Sequence, residues 1–379
     1  MQTAQNLRLH AFFSIDGATP DYNRTPGYPL FLAAIYALGQ NNTAVVLGQI
    51  LLAAWGLYLL YRALILLRVT PSLAALGGAA LLPNLTSYIH SWNIAPETLF
   101  EFCLILAFYF LIRFCTQGQR PSDFLLFSLA LNYALWTRPI LMYFNLLVIV
   151  LLFLFFSFRK ISLFGPLLFL ICFVVMFGGW SYRNYTHSGV FIFSTIANYN
   201  MQKYYAPIIT MAQSSLDEKA AQTYHDQLFT RQYPQAANLN AAQLSVLQKK
   251  YGWNFIRANF PAYLWCSFSG LFVLLFGPSQ TYLFSILPST LAYVVSGLYA
   301  VYLAFVYLIF IFSLIANYQK TFHLAQLALI LLSAYLAATS AIMGDSRFRA
   351  PFFALLTACA IINTAQYFGF TEQDAALPQ

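Results

Sequence analysis

Residues 136–160 read WTRPILMYFNLLVIVLLFLFFSFRK. Between Arg138 and the Arg159–Lys160 pair stand 20 residues with no Asp, Glu, Lys, Arg or His among them. As a helix rising about 1.5 Å per residue, that run is about 30 Å long, the thickness of a bilayer's hydrocarbon core. A charge at the bilayer centre costs roughly 2.5–3.5 kcal/mol or more, so cations at both ends and none between mark a membrane crossing.

The same pattern recurs outward in both directions. Nine segments read as spans: 43–67, 71–89, 95–114, 122–137, 139–157, 161–181, 291–316, 323–343 and 350–369. Two more apolar stretches are ambiguous: 27–40 is short and carries Pro29, and 260–278 is interrupted by Pro261, Ser267, Ser269 and Gly270. A polar stretch fills 182–258, and residues 1–26 are polar and mixed, without the apolar core of a signal peptide or first anchor. The chain is 60% hydrophobic and only 8% charged, which excludes both an ordinary soluble globule and a disordered chain. The fold class is therefore an all-α polytopic integral membrane protein. Its net charge of +8 sits in short loops, which fits membrane orientation better than nucleic-acid binding. The five cysteines form no CxxC pair, so neither a disulfide framework nor a zinc site is indicated.

Alternating nine helices, with neither ambiguous stretch crossing, puts Arg62, Arg68, Arg113, Arg120, Arg159, Lys160 and Lys320 on one side, with Asp123 almost their only acidic company. By the positive-inside rule that side is the cytoplasm. The expected layout is a first outer loop with juxtamembrane helices over 1–42, membrane helices over 43–181, an outer loop with interfacial helices over 182–278, further membrane helices over 291–370, and a cytoplasmic tail over 371–379. A chain that starts outside implies a preceding span. Within the outer loop, Ser215–Glu218 matches a capping box and Asn240 is a second cap. Leu244, Leu247, Tyr251 and Phe255 then share one helical face, which predicts a helix lying on the membrane or on the loop's own core.

The remaining charges mark the outer face. Arg24 lies in NRTPGYPLF (23–31), whose prolines and glycine predict a rigid turn holding the guanidinium at headgroup level, where it can pair with a phosphate. An interfacial anchor explains the same string. Glu97 opens a helix after Pro96, where helix capping also accounts for an acid; Glu101, one turn deeper, is harder to explain that way. Arg138 breaks an apolar run, Arg183 and Asn184 end another beside Trp180 and Tyr182, and Arg347 and Arg349 precede Pro351 at a helix start that disfavours cations. Four arginine-bearing helix ends and one carboxylate on one face predict a site for a lipid phosphate, with the carboxylate as a general base or a metal ligand.

These strings, in this order over roughly 4–355, resemble the bacterial GT-C glycosyltransferases of family 39, the protein mannosyltransferase and aminoarabinose transferase-like group. The resemblance implies a GT-C-like helical bundle in the bacterial inner (plasma) membrane, with its active face periplasmic or extracellular. It also implies a polyprenyl-phosphate sugar donor and inverting transfer to a hydroxyl acceptor. Arg24, with Tyr28 in the same string, matches the family's basic region near the lipid phosphate. Glu97 matches its second acid, which helps bind donor or a divalent metal. The family's principal catalytic Asp stands further upstream than the 23 residues preceding Arg24, so its position falls before Met1. Asp16 and Asp21 look like turn acids and are weak substitutes. The competing readings are a transporter or flippase of lipid-linked sugars, and a catalytically inactive, N-terminally truncated homologue.

Overall fold

The computed structural model describes residues 1–39, 41–158, 162–278, 280–317 and 324–370. Among them it is helical throughout, with one isolated bridge between Ser14 and Pro20. The outer segment forms α1 (Gln2–His10) and α2 (Gly27–Leu38), and α3 (Asn42–Leu66) starts where the Asn41 side chain accepts from the Thr43 N–H. There follow α4 (Pro71–Leu81), α5 (Leu85–Trp92), α6 (Glu97–Thr116), α7 (Pro121–Thr137), α8 (Pro139–Ser157) and α9 (Phe164–Ser188). Prolines at the first position of α4 and α7 give up an amide that a helix start leaves unbonded anyway. α9 ends at Gly189, whose φ of 74° is left-handed and open to glycine at little cost.

The outer loop folds as α10 (Ala206–Gln213), α11 (Glu218–Gln232) and α12 (Ala241–Ala258). Asn240 and Gln243 make a complete capping box on α12. The box expected at Ser215 is not formed: α11 starts two residues later, with Asp217 as the cap accepting from the Ala220 N–H. Tyr251 is buried with Phe229, Tyr233 and Ala206, and Leu244, Leu247 and Phe255 pack on them, so the stripe read from the sequence faces the loop's own core. The C-terminal helices are α13 (Phe260–Phe276), α14 (Ser289–Ala316), α15 (Leu324–Ser340) and α16 (Ala350–Phe368).

Among the described residues, seven helical segments are long and apolar enough to cross a membrane: α3, α6, α8, α9, α14, Gln326–Met343 (α15 with its last turn) and α16. Large apolar side chains such as Leu51, Trp55, Val150, Ile171, Val301 and Phe305 stay exposed along them, which only hydrocarbon makes stable. Two further legs run the bundle's length. α6 and α7 are an antiparallel hairpin fixed at both ends: Arg138 meets Glu97 at 3.4 Å, and Arg113 meets Asp123 at 3.3 Å. The expected continuous span 71–89 is instead broken at Pro83–Asn84 into α4 and α5. The pair still traverses, because the Thr70 N–H donates to the Phe370 carbonyl at one end of α16 and Thr86 meets Arg349 at the other. α16 is the central helix, largely buried by its neighbours.

Neither ambiguous stretch is a simple span. α2 has 12 residues, about 18 Å, too short to cross. α13 turns by 96° from α12 and lies across the corner between α15 and α16. A Cβ on Gly270 would stand 2.1 Å from the Ala341 carbonyl oxygen. Arg113 and Asp123 lie at the end opposite Glu97, the end expected to be cytoplasmic. Arg159, Lys160, Lys320 and the tail 371–379 lie outside the described residues.

Candidate functional site

The strings singled out in the sequence meet at one end of the bundle. Gly27 abuts the end of α7 so closely that a Cβ would sit 2.7 Å from the Thr137 nitrogen, which is why no larger residue fits. Thr25 Oγ1 donates to the Thr137 carbonyl at 3.1 Å, and the Tyr133 hydroxyl to the Gly27 carbonyl at 3.0 Å. The turn carrying Arg24 is thus fastened to Trp136–Arg138. Trp136 donates through Nε1 to the Met176 carbonyl in α9 (2.8 Å) and its ring lies 6.3 Å from that of Trp180.

The centre of this end is a charged group around Phe348. The guanidinium carbons of Arg138 and Arg347 each lie 4.7 Å from its ring centroid, and Arg138 also lies 5.7 Å from Phe100. Arg138 pairs with Glu97 Oε1, while Glu97 Oε2 is buried with no hydrogen-bond partner. Arg347 pairs with Asp345 at 3.2 Å. His90, which the sequence reading passed over, is buried beside this group. Glu97, Asp345, Arg138 and Arg347 are the charged groups near enough to act on its imidazole. The turn bearing His90 is clamped by Gln49, whose Nε2 donates to the carbonyls of Ser91 (3.0 Å) and Asn93 (2.7 Å). Tyr28, expected at the substrate, donates to Gln49 Oε1 of that clamp at 2.7 Å.

Exposure separates the arginines. Arg24 and Arg347 keep 50% and 39% of their side-chain surface open, whereas Arg138 keeps 15%. Two of the expected phosphate ligands are committed elsewhere. Arg349 is fully buried and donates to the carbonyls of Leu274, Leu275 and Gly277 and to Thr86 Oγ1, at 2.8–3.0 Å. It ties the end of α13 to α5 and the start of α16. Arg183 donates to the carbonyls of Phe13 and Asp21 and to Asn184 Oδ1, with its plane among Phe13, Tyr22 and Trp180. Asn184 passes the tie on, donating to the carbonyls of Ile192 and Phe193. This pair anchors the first outer segment to α9.

The carboxylates divide in the same way. Asp16 accepts from the Ala18 and Thr19 amides and from the hydroxyls of Ser14 and Thr19, which hold it far below the usual carboxylate range. Asp21 is buried, accepts from the Asn23 and Arg24 amides and pairs with Arg24 at 3.0 Å. Both are turn-forming acids, and neither is free to act as a base. Glu101 lies one turn below Glu97 and accepts from the Ser87 hydroxyl in a small cavity shared with Asn84 and Thr98. As for a metal at Glu97, no three His, Cys, Asp or Glu side chains among the described residues are grouped to hold an ion.

Residues 23–182 match the model of the family described as dolichyl-phosphate-mannose-protein mannosyltransferase, which bears out the resemblance read from the sequence. That stretch, from the turn bearing Arg24 to the outer part of α9, makes up less than half of the chain. Two solved structures are similar to the chain, both of ArnT from Cupriavidus metallidurans. The one bound to undecaprenyl phosphate gives 12% identity over 97% of this chain and 72% of that one, with a TM-score of 0.42. The apo form gives 12% identity over 96% and 71%, with a TM-score of 0.41. No curated protein sequence matches the chain.

Proposed function

We propose that this protein transfers a sugar from a polyprenyl-phosphate donor to a hydroxyl acceptor at the non-cytoplasmic face of a bacterial inner membrane, with inversion at the sugar carbon. The donor's phosphate docks against Arg138 and Arg347, with Arg24 at the rim, while its hydrocarbon chain lies in the bilayer. Guanidinium groups suit this task because they present paired donors to phosphate oxygens and keep their charge when partly buried. The acceptor oxygen attacks the anomeric carbon from the side opposite the phosphate. The bond between that carbon and the phosphate oxygen breaks, its electron pair leaves with the lipid phosphate, and the arginines stabilise the charge that develops there. The acceptor's proton passes to a carboxylate. Among the described residues Glu97 is the candidate, with one oxygen orienting Arg138 and the other unbonded.

The observation that carries this reading is the pair of cations stacked on Phe348 beside Glu97, from helices far apart in the chain. The test is transfer of a labelled sugar from a polyprenyl-phosphate donor by the full chain in proteoliposomes. Arg347→Ala is expected to raise the KM for donor, and Glu97→Gln to lower kcat. Transfer that survives both substitutions unchanged refutes the assignment.

A further inference from the structure

α12 has a second face that the loop's core leaves uncovered. Val246, Lys249, Lys250, Trp253 and Arg257 are all exposed and fall within a sector of about 100° on the helical wheel. Arg257 lies 5.0 Å from the Trp253 ring, and no Asp or Glu occurs in α12. Arg231 of α11 borders the same side, across a groove it shares with Asn254 and Phe255. Immediately after this stripe the chain bends by 96° into α13, whose Phe260, Leu264, Trp265, Phe268 and Phe272 are exposed and apolar. Those aromatics need hydrocarbon, so the basic stripe lies where hydrocarbon gives way to headgroups. A merely solvated face would not place a half-exposed tryptophan among its cations; a tryptophan beside lysine and arginine is the composition of a membrane-water boundary.

From this we infer that the exposed face of α12 docks on acidic phospholipid headgroups and holds the outer loop down against the membrane. The inference is independent of sugar transfer. It is tested on the full chain in lipid nanodiscs carrying brominated lipids, with Trp253→Phe to isolate the signal of that one indole among the six tryptophans. Brominated phosphatidylglycerol should quench Trp253 more strongly than brominated phosphatidylcholine at equal mole fraction. In Lys249→Gln/Lys250→Gln/Arg257→Gln that preference should fall by about fivefold per cation removed, with helix content by circular dichroism unchanged. Trp253 quenched by aqueous acrylamide but by neither lipid would overturn the docking. Equal quenching by the two lipids would overturn the preference for acidic headgroups.

Discussion

Arg349 offers the sharpest discrimination between a phosphate ligand and a structural tie. Its guanidinium satisfies the carbonyls of Leu274, Leu275 and Gly277 and the Thr86 hydroxyl, all out of solvent. In Arg349→Met the side chain keeps its bulk but three carbonyls lose their donor, at about 1–3 kcal/mol for each left unsatisfied. Three such carbonyls sum to about 3–9 kcal/mol, and water entering the corner offsets part of that loss, which leaves about 3–5 kcal/mol. For a chain of this size the melting temperature should fall by about 4–6 °C. Arg349→Lys should fall between, since an ammonium reaches some of these acceptors but lacks the fork that spans α13 and α5. The assay is thermal aggregation followed by fluorescence size-exclusion in detergent, run beside polyprenyl-phosphate binding at a temperature where each variant is folded. A melting temperature left at the wild-type value with binding abolished would refute the tie and restore Arg349 as a ligand.

Gly27→Ala should destabilise by about 1–3 kcal/mol, because its Cβ would meet backbone atoms of Trp136 and Thr137 that cannot move aside; limited proteolysis of the first outer segment reads the loosening. Arg183→Gln should release the same segment, making residues 1–25 protease-sensitive while the bundle stays intact, since its contacts run to Phe13 and Asp21. His225 is buried, bonded to Thr210 and Tyr251, and pushed down to about 4 by burial. The unfolded chain therefore takes up that proton first, so the outer loop's stability is complete above about pH 6.5 and is lost as pH falls from there towards 4. Hydrogen exchange in α11 and α12 should show this, and His225→Gln should flatten it.

How much was legible in the sequence follows from what kind of information each feature needs. The spans were readable because hydrocarbon imposes the same composition on every crossing helix, and the alternation of charge between ends follows from that. The break at Pro83–Asn84 was also written locally, in a proline that offers no amide to a continuing helix. The arginines were recognisable as belonging to one face, but their partners were not. An arginine at a helix end reads the same whether it will meet a phosphate, as is proposed for Arg347, or three carbonyls of a helix more than seventy residues away, as Arg349 does. His90 and Gln49 carried no usable local signal: one sits in a short helix with no motif, the other inside an apolar run. Their importance arises from the packing of α5 against α3 and α6, which only the folded chain supplies.

The central claim is that Arg24, Arg138 and Arg347 occupy one membrane face. Single cysteines at positions 24 and 347, treated in intact cells with a membrane-impermeant thiol reagent, test it most directly. Cys115, the one exposed native cysteine, stands at the far end of α6 and serves as the internal control for the opposite side. The account predicts labelling from outside at 24 and 347 and at Cys115 only after the cells are opened. Positions 24 and 347 labelling from opposite sides would contradict it.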